Sequence, residues 1–174
     1  MAGKGMWTML LLATVTACTP AGPQSASVQV KVTDDGSIPK NESISLDDEH
    51  AAIANLDPAL LTAMRNAATD AKLAGVELRV TSGWRSREHQ QRLLDEAVEL
   101  YRSEEEARRW VHPPDKSAHV TGKAIDIGPT NADDWLIQHG ADYGLCQAYA
   151  NEMWHFELLT TPGGQCPQPQ GNAG

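Results

Sequence analysis

The sequence predicts an α+β fold, a small central antiparallel sheet with flanking helices, and three observations carry that expectation. Capped apolar stripes of helical period come first in the folded part. Short stretches of period-2 alternation follow. Two of those stretches each aim a metal-competent side chain at one face, so the strands gather around a shared polar cluster.

The elements read in order. Asp57-Pro58 is an N-cap with Pro at the first helical position, followed by the stripe Leu60, Met64, Ala67, Ala68 and Ala71, and Gly75 ends the helix. Val76–Thr81 alternates as a strand, and Ser82-Gly83-Trp84-Arg85 is a turn. Ser86 caps a second helix running to about Arg102, with Gln90, Leu94, Ala97 and Tyr101 on its inward face. Gln90 is therefore a polar group on the core side, where it needs a partner. Ser103 to Glu106 is a capping box opening a short helix through Trp110, and His112-Pro113-Pro114-Asp115 is loop. Gly122–Gly128 is a strand with Ala124 and Asp126 facing one way. Asn131 caps a helix over Asp133–His139, which Gly140 stops. Met153–Leu159 is a strand with Trp154, Phe156 and Leu158 on one face and His155 and Glu157 on the other.

The ends and the charge bound the possibilities. Lys4 gives a short basic region, Met6–Val15 is apolar and too short to span a membrane, and Val15-Thr16-Ala17-Cys18 follows. This resembles a bacterial lipobox, which implies a signal peptide over residues 1–17 and a lipid on Cys18; an ordinary secretory signal cut nearby is the other reading. Either exports the protein. Residues 18–50 are expected to be a flexible tether, spanning roughly 30 Å as a coil, with Ser27–Val32 able to form an edge strand. The folded domain is expected over 51–168 and a disordered tail over 169–174. Lys and Arg number 14 against 23 Asp and Glu. An acidic chain with no basic run is a poor partner for nucleic acid or anionic membrane surfaces, so the membrane link is expected through lipid alone. A monomer is expected. Cys146 and Cys166 fit one bridge pinning the tail, of roughly 3 kcal/mol by the chain-entropy estimate; two free or metal-binding thiols are the alternative.

His119, Asp126 and His155 supply two imidazoles and a carboxylate. Three N/O ligands with an open fourth position make a catalytic zinc site, whereas structural sites usually close with a fourth ligand. His119 belongs in the loop entering the Asp126 strand, with Gly122 as the bend. Glu152 lies on the turn before His155, placed to shuttle the proton of a hydrolytic water; a plain surface Glu is the bland alternative. Glu157 shares the His155 face and is within reach of its imidazole N–H, or is solvated. Arg85 could polarise a scissile carbonyl, hold a substrate carboxylate, or be an exposed loop residue without a role.

Three motifs in order carry a family resemblance: Ser82-Gly83-Trp84-Arg85-Ser86 with Gln90; Ser117, His119, Gly122, Ala124 and Asp126; and Glu152, Trp154, His155 and Glu157. They resemble the VanY-type D-alanyl-D-alanine carboxypeptidases, peptidase family M15 of the LAS metallopeptidases. Trp84 stands where that family often has Tyr. The resemblance implies one Zn²⁺ on His119, Asp126 and His155, Glu152 as catalytic base, and Arg85 on the oxyanion or the substrate. It further implies Gln90 and Ser117 in the substrate pocket and a disulfide between Cys146 and Cys166. The implied activity is removal of terminal D-Ala from peptidoglycan stem peptides. Alternatives are an endopeptidase or D-Ala-D-Ala dipeptidase of the same superfamily, or a zinc-binding recognition module without catalysis.

Overall fold

Helix starts follow the local chemistry. The computed structural model describes Met1 and residues 35–172. After a short α1 (Ala51–Ala54), the Asp57 carboxylate accepts from the N–H groups of Ala59 and Leu60 and Pro58 opens α2 (Pro58–Leu73). Its stripe buries Leu60, Met64, Ala67 and Ala71, and Gly75 follows the C-cap at φ +77°. Ser86 caps α3 (Arg87–Tyr101) and Ser103 caps α4 (Glu104–Arg108) through their hydroxyls. Gln90, Leu94 and Ala97 are buried as expected, but Tyr101 is 39% exposed and stacks on Trp110 instead. The expected Asn131 cap is also corrected. Helix α5 (Thr130–His139) begins earlier, and the Pro129 carbonyl takes the first N–H groups, those of Ala132 and Asp133.

Strands β1 (Arg79–Ser82), β2 (Ala124–Gly128), β3 (Leu145–Gln147) and β4 (His155–Leu158) form one antiparallel sheet in the order β1-β2-β4-β3. The first strand starts at Arg79, not Val76, because Arg79 lies opposite Gly128, where β2 ends. Strand β3 has only three residues, too few for alternation to reveal it. A 3₁₀ turn, Gly140–Tyr143, leads into it. Phe156, Ile125, Ile127, Val80, Leu60, Met64 and Leu136 fill the core between sheet and helices.

The tether expectation fails over residues 35–50. Leu46 is 4% exposed, Ile38 and Ile44 pack on the core, and Ile44 exchanges both main-chain hydrogen bonds with Val80 at 2.9 Å. The Ser86 N–H donates to the Asp35 carbonyl, and Arg92 pairs with the Asp35 carboxylate. This segment covers the outer edge of β1, an edge that would otherwise expose unpaired main-chain groups. The tail expectation fails at Gln170, which bridges to Tyr149. Cys146 and Cys166 are joined. The signal peptide, Cys18 and the Ser27–Val32 stretch lie outside the described residues.

One buried group gives a pH-dependent stability. Asp133 on α5 is 4% exposed, and its Oδ1 has no hydrogen-bond partner among the described residues. Burial, then the charges of Asp134 and Asp126, push its carboxyl up from 3.8 to about 6. The folded chain binds this proton more tightly than the unfolded chain. The stability it contributes is complete below its ordinary 3.8 and is lost as pH rises through about 6. Asp133→Asn keeps the size and removes that loss. The variant should exceed the wild type by roughly 2–3 kcal/mol above pH 7 and match it near pH 3.5. Urea unfolding of both proteins at the two pH values checks this; a gap independent of pH would contradict it.

Candidate metal centre and cleft

The sheet register brings the first two groups together. Asp126 on β2 lies directly opposite His155 on β4, so their side chains leave the same face, with Asp126 Oδ1 3.0 Å from His155 Nδ1. His119 comes from the loop before β2. That loop doubles back at Gly122, whose φ is +71° and whose N–H donates to the His119 carbonyl. A Cβ at Gly122 would sit 2.4 Å from the Asn55 carbonyl oxygen, so only Gly fits the bend. His119 Nε2 then lies 3.2 Å from His155 Nδ1 and 3.3 Å from Asp126 Oδ1. All three residues are buried.

The outer partners orient both rings. His119 Nδ1–H donates to the Gly83 carbonyl at 2.8 Å, and His155 Nε2–H donates to Glu157 Oε1 at 3.1 Å. A carbonyl and a carboxylate only accept, so the protons stay on those nitrogens and the inner nitrogens turn toward Asp126 Oδ1. Three donor atoms spaced 3.0, 3.2 and 3.3 Å apart approach the roughly 3.3 Å edges of a tetrahedral site with bonds near 2.0–2.1 Å. The residues fit a divalent cation. His119, Asp126 and His155 also form a potential metal-holding group among the described residues.

The charges point the same way. Burial, with Arg85 nearby, pushes His119 down to about 4, so it is neutral at pH 7. Burial opposes the charged form of Asp126, but His119 and His155 outweigh it and hold the carboxyl well below its usual range. Burial likewise opposes the His155 cation, yet the bonds from Asp126 and Glu157 win and raise it to about 9. The two rings thus differ, His119 favouring its neutral form and His155 its cationic form on either side of the Asp126 carboxylate.

Around it opens a cleft of about 260 Å³, lined by Arg85, Gln90, Ser117 and Glu152 with the three inner residues. Glu152 is 6% exposed; its Oε2 is 3.8 Å from His155 Nδ1, and its buried Oε1 has no hydrogen-bond partner among the described residues. Burial, reinforced by Asp126 and opposed by His155 and Arg85, raises its carboxyl to about 7. Arg85 is held at three nitrogens: Nε to Ser82 Oγ at 2.8 Å, Nη1 to Gln90 Oε1 at 3.2 Å and Nη2 to Asp126 Oδ2 at 2.9 Å. Gln90 spends its amide on the His112 carbonyl at 2.8 Å, so it braces Arg85 between two elements.

Tyr149, His112, Trp110 and Trp154 also line the cleft. The first three were not singled out from the sequence as site residues. The Tyr149 hydroxyl is 3.3 Å from His112 Nε2 and its ring is 5.0 Å from that of His155. Burial first, then Glu157 and Glu152, lift the phenol to about 12. Its position shortly before Glu152 was the only sequence signal.

A buried two-imidazole, one-carboxylate centre at the base of a cleft, with a second buried carboxyl beside it, is the layout of a metal-dependent hydrolase. Residues 53–160 match the model of the VanY family, D-alanyl-D-alanine carboxypeptidase, and the chain belongs to that family. It is 31% identical over 117 residues to a D-alanyl-D-alanine carboxypeptidase of Enterococcus faecalis, across 51% of this chain and 42% of that relative. The match thus spans less than half of the relative's length. Among solved structures, it is similar to a vancomycin resistance D,D-pentapeptidase VanY variant from a VanB-type cassette in complex with Zn(II). That likeness has a TM-score of 0.57 and 25% identity, over 67% of this chain and 77% of that one. VanYB in complex with D-alanine-D-alanine gives a TM-score of 0.56 at 25% identity, over 69% and 80%. The LdcB LD-carboxypeptidase shares the fold, with a TM-score of 0.56 at 24% identity, over 69% and 66%.

Proposed function

We propose that this protein is a zinc-dependent D,D-carboxypeptidase that hydrolyses the terminal D-Ala-D-Ala bond of peptidoglycan stem peptides. The observation that carries the reading is the convergence of His119 Nε2, Asp126 Oδ1 and His155 Nδ1 beside the Glu152 carboxyl, whose Oε1 has no hydrogen-bond partner among the described residues. The family match and the zinc and D-alanine-D-alanine complexes of similar structures support it. Zinc held by those three atoms would supply a Lewis acid and lower the pKa of water.

The chain's own residues do the rest. Glu152, raised to about 7, accepts the proton of the attacking water and returns it to the leaving amine. A carboxyl with a pKa near the working pH exchanges protons efficiently in both directions. Arg85, fixed by Ser82, Gln90 and Asp126, presents an oriented positive charge at the wall where the tetrahedral oxyanion or the substrate carboxylate forms. Ser117, 4% exposed on the cleft wall, offers a hydroxyl to the peptide main chain. Export and attachment to the membrane through a lipid on Cys18 belong to the same reading, supported by the apolar Met6–Val15 run and the Val15-Thr16-Ala17-Cys18 sequence.

The test is mass spectrometry of a stem pentapeptide ending in D-Ala-D-Ala, incubated with the zinc-loaded protein from Cys18 onward. Loss of one alanine, abolished by a chelator, is the expected result. Release of the dipeptide or an internal cut would move the function to a dipeptidase or endopeptidase. No cleavage with zinc tightly bound would leave the recognition module.

A further inference from the structure

The C-terminal tail pairs with the loop that lines one side of the cleft. Strand β3 is an edge of the sheet, and the seven residues after it, 148–154, form the loop that carries Tyr149, Glu152 and Trp154 into the cleft. Gln170 lies beside this loop. Its N–H donates to the Ala148 carbonyl at 2.8 Å, and its carbonyl accepts from the Ala150 N–H at 2.7 Å. Two main-chain bonds thus bracket Tyr149, and they satisfy edge groups that the sheet leaves open.

Upstream, the Gly163 N–H donates to the Ala141 carbonyl at 2.8 Å. Residues 161–170 read Thr-Pro-Gly-Gly-Gln-Cys-Pro-Gln-Pro-Gln and contribute nothing to the main core cluster. The Gln170 side chain is exposed. What delivers Gln170 is the Cys146–Cys166 bridge, four residues upstream, with Pro167 and Pro169 stiffening the link. A short, stiff tether from β3 raises the effective concentration of Gln170 at the neighbouring loop.

Glu152 depends on that loop for its position. Among the described residues its Oε1 has no hydrogen-bond partner and its Oε2 comes no closer than 3.8 Å to the His155 ring nitrogen, so no side-chain hydrogen bond aims the carboxyl. The aim comes from the main chain: the Glu152 N–H donates to the Tyr149 carbonyl at 3.3 Å, and the His155 N–H to the Glu152 carbonyl at 3.2 Å. Through Tyr149, the clamp from Gln170 lies one hydrogen bond away from Glu152.

We propose that the disulfide-tethered tail is part of the active-site apparatus, with Gln170 a positioning residue whose main chain holds residues 148–152 so that Glu152 faces the cleft. The inference rests on the reading of Glu152 as the proton shuttle. Gln170→Pro removes the N–H that bonds Ala148, while Gln170→Ala keeps it. Gln170→Pro should lower kcat on the stem pentapeptide by at least about tenfold, because small misplacements of a reacting group are costly. KM should stay within about twofold, zinc should remain one per chain, and Gln170→Ala should behave as wild type.

Amide hydrogen exchange reads the clamp without reference to activity. The Ala150 N–H should exchange slowly in the zinc-loaded wild type and in Gln170→Ala, and quickly in Gln170→Pro. Three results would overturn the proposal: wild-type kcat in Gln170→Pro, equal losses in both variants, or a fast Ala150 amide in the wild type. So would loss of zinc or of cooperative unfolding in Gln170→Pro, since the tail would then serve the fold alone. A wild type inactive on every stem peptide would remove the proposed function, and the exchange result would still stand by itself.

Discussion

Glu152→Ala is expected to abolish turnover while zinc stays bound. The carboxyl is 6% exposed, faces the cleft, and is not one of the three convergent donors. In the proposed reaction its loss removes the proton acceptor, a group typically worth about 10²–10⁴-fold in rate. Glu152→Gln should fall as far, because it keeps the volume and the hydrogen-bonding capacity but not the basicity. Relief of a buried carboxyl raised to about 7 should leave both variants at least as stable as the wild type above that pH, which separates a catalytic defect from a folding defect. Zinc content by metal analysis, thermal unfolding and single-turnover rates on the pentapeptide check the three parts. Near-normal turnover in either variant would remove Glu152 from the mechanism.

Asp126→Asn should be damaging in a different way. Asp126 Oδ1 meets both imidazoles and Oδ2 takes the Arg85 guanidinium at 2.9 Å, so one carboxylate serves the metal cluster and the cleft wall. Arg85 is largely buried, with 15% of its side chain exposed, and burial lowers its pKa while Asp126 and then Glu152 raise it. Removing the anion would withdraw a proposed ligand, where changes even to outer partners of ligands cost about 10–100-fold in metal affinity. It also leaves a buried cation without its main counter-charge, which costs about 3–5 kcal/mol when one partner of a buried pair is lost. The expected result is therefore zinc affinity reduced by more than about 100-fold together with a less stable metal-free protein. A chelator competition titration and urea unfolding in excess chelator measure the two separately. Wild-type zinc affinity in the Asn variant would take Asp126 out of the ligand set.

Helix boundaries at Asp57, Ser86 and Ser103 were legible because a cap involves only neighbouring residues. Asn131 misled for the same reason: it has a capping side chain, but the Pro129 carbonyl had already started the helix. Residues 35–50 looked like linker because their apolar groups are sparse. Leu46 and Ile44 become core residues only because β1 needs its edge covered. Gln90 was rightly placed inward, yet both ends of its amide are spent bracing Arg85 and the His112 carbonyl.

The kinds of side chain in the site, and their order along the chain, stand in the primary structure: two imidazoles, the carboxylate between them, and the acid that precedes the second imidazole. Folding alone settled which imidazole nitrogens face inward, because the Gly83 carbonyl and Glu157 hold the outer ones. It also settled that Asp126 and His155 are neighbours across a ladder and that Gln170 returns to Tyr149. Side chains differ from residue to residue and leave a readable pattern. The carbonyls and N–H groups that orient them are nearly the same at every position, so only their arrangement in space says which one a ligand meets.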